Sequence, residues 1–241
     1  MYKKRLTILV FTLIFVLTFS RTGLTGLQEG IDAYENQEYE KAISLLQEEL
    51  EEDDENYLPY FYLGLSYNNL EKYGQALNNL EKARELKSDN YHVLVNLGRA
   101  YYRTEMYEKA LSVLNKASQM ENIDEQVYNL LGLVNQGQEN YDEAIDYFKK
   151  GIEMENNNYY ILNNLGLTYI YQGDYENARD YLNKAAELDP EEPYVYNNLG
   201  IAQENLDNLD EAQINYEKAL ELDSEYEKAK LNLNRVEKLL K

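Results

Sequence analysis

The amino-acid sequence predicts an all-α fold, a right-handed superhelical solenoid of six helix–turn–helix repeats with a C-terminal capping helix. A glycine recurs every 34 residues, at Gly30, Gly64, Gly98, Gly132, Gly166 and Gly200. An alanine follows each glycine after twelve residues, at Ala42, Ala76, Ala110, Ala144, Ala178 and Ala212. A fixed spacing maintained over six cycles is typical of a repeat solenoid and argues against a single globular core.

Each unit is predicted to be two short amphipathic helices joined by a tight turn. In the unit over 159–192, residues at helical spacing flank the turn at 172–174: Leu165, Gly166 and Tyr169 before it, and Ala178, Leu182 and Ala185 after it. Glycine and alanine at the facing positions let the two backbones approach closely. Neither helix is long enough to be stable alone in water, so each unit needs its neighbour to bury its apolar face.

These positions give the chain a specific resemblance. The order Leu-Gly, Tyr, Ala, Leu, Ala and Pro resembles the tetratricopeptide repeat family, and it is carried by Leu165-Gly166, Tyr169, Ala178, Leu182, Ala185 and Pro190. The pattern covers about 200 of the 241 residues. The resemblance implies that the first helix of each repeat lines an inner face on which ligands lie.

The period also sets the domain boundaries. Six repeats are predicted over 23–56, 57–90, 91–124, 125–158, 159–192 and 193–226, followed by a capping helix over 227–241. The joints between repeats contain Asp, Asn and Ser, which are expected to cap the following helix. The fourth repeat has Asn135 and Gly151 where the pattern has tyrosine and alanine, so looser packing is expected there.

Residues 1–22 have a different character from the repeats. Lys3, Lys4 and Arg5 precede an uncharged apolar run over 6–19. This pattern is typical of an export signal, and the run is short for a membrane-spanning helix. A cleaved signal peptide and a retained membrane anchor both remain open, and a buried core helix is the weaker alternative. Either of the first two places the repeats outside the cytoplasm, secreted, periplasmic or anchored.

Composition limits the chemistry that the chain can perform. It carries 44 acidic against 23 basic residues, a net charge of −21, which disfavours binding to nucleic acid. It contains no cysteine, and His92 is its one histidine, so neither a thiol site nor a histidine-based metal site or triad can form. The sequence therefore predicts no enzyme and no cofactor.

A peptide-binding groove is the candidate functional site that the resemblance implies. Its predicted residues are His92, Asn96, Arg99, Tyr102, Arg103, Asn129, Tyr160, Asn163, Asn164, Tyr171, Tyr194, Asn197 and Asn198. Amides are expected to bind the backbone of an extended peptide, and rings to bury its side chains. Asn96, Asn164 and Asn198 resemble the asparagine ladder that some family members use. The alternative is that several of these positions simply pack helix against helix.

Two arginines in this groove are expected to anchor an acidic group. Arg99 and Arg103 lie one helical turn apart, with His92 at the start of the same helix. The alternative is that both arginines pair with neighbouring acids and only balance charge.

The function expected from these observations is a non-catalytic scaffold of the cell envelope. It would bind an extended peptide or protein segment in its groove, contact the membrane only through its N-terminal segment, and stay monomeric. Two alternatives remain open, a self-associating structural component and a non-catalytic accessory subunit of an envelope enzyme.

Overall fold

The computed structural model describes residues 26–188 and 190–241, and these form thirteen helices. Residues 26–35 are helical and are called α1. The others are α2 Tyr39–Glu52, α3 Tyr57–Asn69, α4 Tyr73–Leu86, α5 Tyr91–Arg103, α6 Tyr107–Ala117, α7 Glu125–Gly137, α8 Tyr141–Met154, α9 Tyr159–Gln172, α10 Tyr175–Glu187, α11 Pro193–Asn205, α12 Leu209–Leu222 and α13 Glu227–Leu239. No strand occurs in these described ranges, which confirms the predicted all-α fold.

The helices fall into two compact units that divide after Met106. The N-terminal unit holds α1 to α5, and the C-terminal unit holds α6 to α13. Within each unit every helix packs against the next one along the chain, for example α3 on α4 and α9 on α10. Among the described residues, no helix is long and apolar enough to cross a membrane. The predicted export signal or anchor over 1–22 lies outside the described residues.

The periodic glycine lies where the two helices of a pair touch. A Cβ atom added at Gly166 of α9 would lie 2.5 Å from the Cγ atom of Leu182 on α10. The same distance separates an added Cβ at Gly132 from Phe148, and one at Gly200 from Tyr216. Real Cβ atoms do not approach other atoms this closely, so only glycine fits without repacking. The spacing read from the sequence therefore reports direct contact between paired helices.

The turn inside each pair has a fixed backbone conformation. One residue per pair has a positive φ, at 34-residue intervals: Gln37 (62°), Glu71 (57°), Glu105 (58°), Glu139 (61°), Gly173 (79°) and Asp207 (63°). This left-handed conformation ends the first helix and turns the chain into the second. Glycine occupies it once, within the turn predicted at 172–174.

Side-chain caps begin α3, α5, α7 and α9, as the composition of the joints predicts, whereas α11 and α13 begin without one. The Asn90 side chain accepts a hydrogen bond from the backbone N–H of Val93 at 3.1 Å. Asn158 accepts from the backbone N–H groups of Tyr160 and Ile161. Each cap satisfies N–H groups that have no partner inside the helix.

The fourth pair, α7 and α8, is not loosely packed, so that expectation is wrong. Asn135 is buried, and its Nδ2 atom donates to the backbone oxygen of Leu131 at 2.8 Å. Gly151 is buried against Ile161. Phe148 fills the space between the helices and is fully buried. The large side chain of Phe148 and the hydrogen-bonded amide of Asn135 therefore compensate for the missing tyrosine.

Replacing Gly166 by alanine is expected to lower the free energy of unfolding by about 1–2 kcal/mol, because the overlap with Leu182 outweighs the gain in helix propensity. The matched control is Gly74→Ala in α4, where an added Cβ meets no atom within 4 Å. This control should raise the free energy of unfolding by about 0.5–1 kcal/mol. Urea unfolding followed by circular dichroism measures both changes. Equal effects of the two substitutions would contradict the assigned role of the periodic glycine.

Candidate functional site

The candidate site is the exposed side of the first helix in each pair, called here the first-helix face. It belongs to α1, α3 and α5 in the N-terminal unit and to α7, α9 and α11 in the C-terminal unit. In α9, residues at intervals of three and four place Tyr160, Asn164, Leu167 and Tyr171 on this side. Helical periodicity therefore brings the predicted groove residues of each helix onto one surface.

In the N-terminal unit, α5 carries all five predicted residues: His92, Asn96, Arg99, Tyr102 and Arg103. His92 and Arg103 are exposed, and the other three are partly buried. The Asn96 Nδ2 atom donates to the backbone oxygen of His92 at 2.8 Å, and Arg99 Nη1 donates to Asn96 Oδ1 at 3.0 Å. The Asn96 amide thus makes contacts within its own helix and holds Arg99 one turn from Arg103.

Side chains of α1 and α3 converge on the same surface as Arg99. Burial raises the pKa of the Tyr34 hydroxyl, while a hydrogen bond with Asn69 and the positive charge of Arg99 oppose that rise. Next to Asn69, the Oδ1 atom of Asn68 is buried and accepts no hydrogen bond. A buried acceptor without a partner is uncommon and calls for a donor. The surface therefore combines a cationic group with an unsatisfied acceptor.

In the C-terminal unit, the predicted asparagines bind each other. Three side-chain hydrogen bonds join successive first helices and then the capping helix: Asn164 Nδ2 to Asn129 Oδ1 at 3.0 Å, Asn198 Nδ2 to Asn163 Oδ1 at 2.9 Å, and Asn232 Nδ2 to Asn197 Oδ1 at 2.9 Å. We call these six residues the asparagine ladder. Each bond connects residues 35 positions apart, which is one 34-residue period plus one residue. The repeat therefore places one asparagine beside the next.

The asparagine ladder gives the predicted amides a structural contact inside the protein. Asn163, Asn197 and Asn198 expose only 4%, 2% and 8% of their surface. Their amide groups join one helix to the next, because a buried amide needs a partner inside the protein. The ladder uses one polar atom of each amide, so these residues pack helix on helix as the alternative expectation describes. Their contact with the backbone of an extended peptide stays a prediction.

Two tyrosines are among the exposed side chains of this surface. Tyr160 and Tyr171 are 49% and 53% exposed, and Tyr194 is partly buried. Tyr160 stacks on Tyr159 with ring centroids 4.1 Å apart, and Tyr171 lies 5.8 Å from Tyr141. These ring contacts restrict the side chains of Tyr160 and Tyr171. A ligand that packs on the two rings therefore causes only a small further loss of side-chain entropy.

The comparisons with known proteins identify the family. A family model described as the cilia and flagella-associated protein 70 C-terminal domain, a tetratricopeptide repeat domain, matches residues 27–235. The chain belongs to this tetratricopeptide repeat family. No curated protein matches the sequence of the chain.

Solved structures with the same repeat fold cover most of the chain. Pseudomonas aeruginosa PilF is 20% identical, with a TM-score of 0.75, and the match covers 88% of this chain and 97% of PilF. YrrB, described as a TPR protein with an unusual peptide-binding site, is 22% identical, with a TM-score of 0.58 and coverage of 76% and 95%. The APC/C hetero-tetramer Cut9–Hcn1 includes a chain that is 18% identical, with a TM-score of 0.77, and the match covers 89% of this chain and 42% of that one. At these identities the likeness shows the fold.

The tetratricopeptide repeats end in a charged cluster that the sequence analysis missed. Arg235 of α13 donates from Nε and Nη2 to the two carboxylate oxygens of Glu204 at 2.5 and 2.7 Å. The hydroxyl of Tyr216 donates to Glu204 Oε2 at 2.7 Å. Burial disfavours ionisation of Glu204, but the hydrogen bonds from Arg235 and Tyr216 together outweigh it and hold the pKa of this carboxyl below its ordinary value. The cluster therefore attaches the capping helix to α11 and α12.

One feature of the sequence could have indicated this cluster. Tyr216 occupies the repeat position of Leu182, 34 residues earlier, and it brings a hydroxyl into the core. No group of three or more histidine or acidic side chains within the described ranges is placed to hold a metal ion.

The pH dependence of stability tests the Glu204 cluster. Because the folded pKa of Glu204 is lowered, its stabilising contribution is present above the ordinary pKa of about 4.3 and is lost as the pH falls through the folded value. Glu204→Gln should therefore lower the melting temperature at pH 7, and its difference from the wild type should shrink below about pH 4.

The control is Glu237→Gln, which changes an exposed carboxylate on α13. Its melting temperature should follow that of the wild type across the same pH range. A constant difference between the wild type and Glu204→Gln from pH 7 to pH 3 would contradict the assignment.

Proposed function

We propose that the chain is a non-catalytic adaptor of the cell envelope, which binds a segment of a partner protein on its first-helix faces. Its membership of the tetratricopeptide repeat family supports the general role, since this fold is a protein-interaction scaffold. The observation that carries the proposal is the pair Arg99 and Arg103 on the first-helix face of a chain with 44 acidic and 23 basic residues. Two neighbouring cationic groups on an acidic protein favour an anionic group of the ligand.

In the N-terminal unit this site would anchor a carboxylate of the bound segment. The exposed Arg103 and the partly buried Arg99 lie one turn apart on α5, and Asn96 holds the Arg99 guanidinium in place. Arginine donates paired hydrogen bonds that match a carboxylate.

The double variant Arg99→Ala/Arg103→Ala should weaken binding to the partner by about 1.5–3 kcal/mol for each charged hydrogen bond that is lost. The partner is first captured with the full chain as bait and identified by mass spectrometry, and its affinity is then measured by calorimetry. The melting temperature should change little, because neither arginine is fully buried.

The control for net charge is Lys82→Ala/Lys87→Ala, which removes two positive charges from the exposed surface of the second helix α4 and its C-cap. This control should leave the affinity unchanged. Equal affinities for the arginine variant and the wild type would refute the anchoring site.

Export of the repeats is the second part of the proposal. The basic start and apolar run over 1–19 favour either a cleaved signal or a retained anchor. A protease applied to cells with an intact plasma membrane but a permeable outer wall should therefore digest the repeats. Complete protection of the repeats, with digestion only after lysis, would place them in the cytoplasm and refute this part.

A further inference from the structure

We propose that the chain associates head to tail, with the capping helix α13 of one copy packed along α1 of a second copy. The surfaces involved are the outer side of α13, defined by Leu231 and Lys238, and the open side of α1, defined by Gln28, Glu29 and Asp32. Such association goes beyond the adaptor function and does not depend on it. It corresponds to the self-associating alternative that the sequence leaves open.

The open side of α1 corresponds to a surface that is buried in every later first helix. Glu29 stands at the repeat position where α3, α5, α7, α9 and α11 each bury a leucine. Asp32 stands at the position where the same helices bury serine, alanine, valine or threonine. In α11 these residues are Leu199 and Ala202, which share a core cluster with residues of the preceding pair. Glu29 and Asp32 are exposed, because no described helix precedes α1.

Hydrogen bonds between successive first helices show which positions meet in the stack. Gln136 Nε2 of α7 donates to Thr168 Oγ1 of α9 at 2.8 Å. Glu204 of α11 pairs with Arg235 of α13. Gln136 and Glu204 stand two periods apart at the same repeat position, and their partners stand at adjacent positions of the next first helix. Each of these first helices therefore uses one fixed position to bind the next.

At the two ends of the stack these positions carry opposite charges. Lys238 of α13 occupies the repeat position of Gln136 and is exposed. Asp32 of α1 occupies the position of Thr168, and its side chain accepts a hydrogen bond at 2.7 Å from Gln28 on the same helix. A second copy whose α1 follows α13 as α9 follows α7 would place Lys238 beside Asp32.

The asparagine ladder indicates a second contact in the same register. Its acceptors stand at one repeat position and its donors 35 residues later. On α13 the acceptor position is Leu231, which is 68% exposed, more than any other large hydrophobic side chain of the described residues. On α1 the donor position is Gln28, which is also exposed. Packing of Leu231 on the aliphatic stem of Gln28 would remove apolar area from water.

The charges around the two surfaces select a second copy in this orientation. Residues 26–55 carry twelve acidic side chains and one basic side chain, whereas residues 225–241 carry five basic and three acidic ones. Opposite ends therefore attract and two acidic ends repel. Repulsion from the rest of the chain is largely screened beyond about 8 Å at physiological ionic strength. A contact between two helices is small, so the association is expected to be weak.

Single cysteines test this contact, because the chain has none of its own. A Gln28→Cys chain and a Leu231→Cys chain, both full length and in mild detergent, are mixed and oxidised. A disulfide needs two Cα atoms within about 7 Å of each other. The mixed dimer should therefore form at least about tenfold faster than in a mixture of the Gln28→Cys chain with an Ile214→Cys chain. Ile214 is 63% exposed and lies on α12, away from both surfaces.

Charge reversal tests the contact between Lys238 and Asp32. Lys238→Glu in the Leu231→Cys chain, or Asp32→Lys in the Gln28→Cys chain, should slow cross-linking by about threefold to tenfold. The two reversals together restore opposite charges and should restore the rate. Lys184→Glu in the Leu231→Cys chain changes an exposed lysine of α10 and should leave the rate unchanged. All of these positions are exposed, and melting temperatures establish that each variant is folded.

Three results would overturn head-to-tail association in this register. The first is a mixed dimer that forms no faster than with the Ile214→Cys chain. The second is a dimer of the Leu231→Cys chain alone that forms as fast as the mixed dimer, since this would show two capping helices paired with each other. The third is a rate that the double reversal does not restore. The adaptor function is tested separately, by the affinity of Arg99→Ala/Arg103→Ala for the captured partner.

Discussion

The close approach of two helices at a single glycine is the constraint on which the structure depends. An added Cβ at Gly132, Gly166 or Gly200 would come within 2.5 Å of a core side chain on the paired helix. Because the helices touch there, each pair presents a flat apolar side to the next pair, and the stack buries what no pair could bury alone. The alanine twelve residues later serves the same contact from the second helix. Glycine and alanine therefore recur at these two positions in all six repeats, while the residues around them vary.

Contacts between first helices determine what the candidate site can bind. The asparagine ladder fixes α7, α9, α11 and α13 to one another through amides that stand 35 residues apart. Partly buried aliphatic side chains, exposed tyrosines and the remaining amide atoms of the ladder are the contacts that this face offers. In the N-terminal unit the corresponding positions of α1, α3 and α5 carry few asparagines, and α5 carries two arginines instead. The two units therefore offer different contacts to a ligand.

The fold was predictable from the sequence because the 34-residue period follows from the contact between paired helices. Gly166 is required by the close contact with α10, and Gly173 suits the positive φ of its turn. Both requirements are local, so the sequence pattern predicts them. The bonds between asparagines of neighbouring helices were not predicted. Whether the side chains at two positions of successive helices meet depends on the distance between them, and only the structure supplies the distance between Asn163 and Asn198. The Glu204–Arg235 pair was missed because the chemistry of the capping helix does not follow the repeat pattern.

Exchange of side-chain amide protons with water tests most directly the claim that the asparagine ladder is internal. Nuclear magnetic resonance of the labelled chain resolves these protons, and Asn157, which is exposed in the turn before α9, provides the reference. The account predicts that the donors Asn164, Asn198 and Asn232 exchange more slowly than Asn157. Exchange as fast as that of Asn157 would show that the ladder does not hold these amides and would contradict the account.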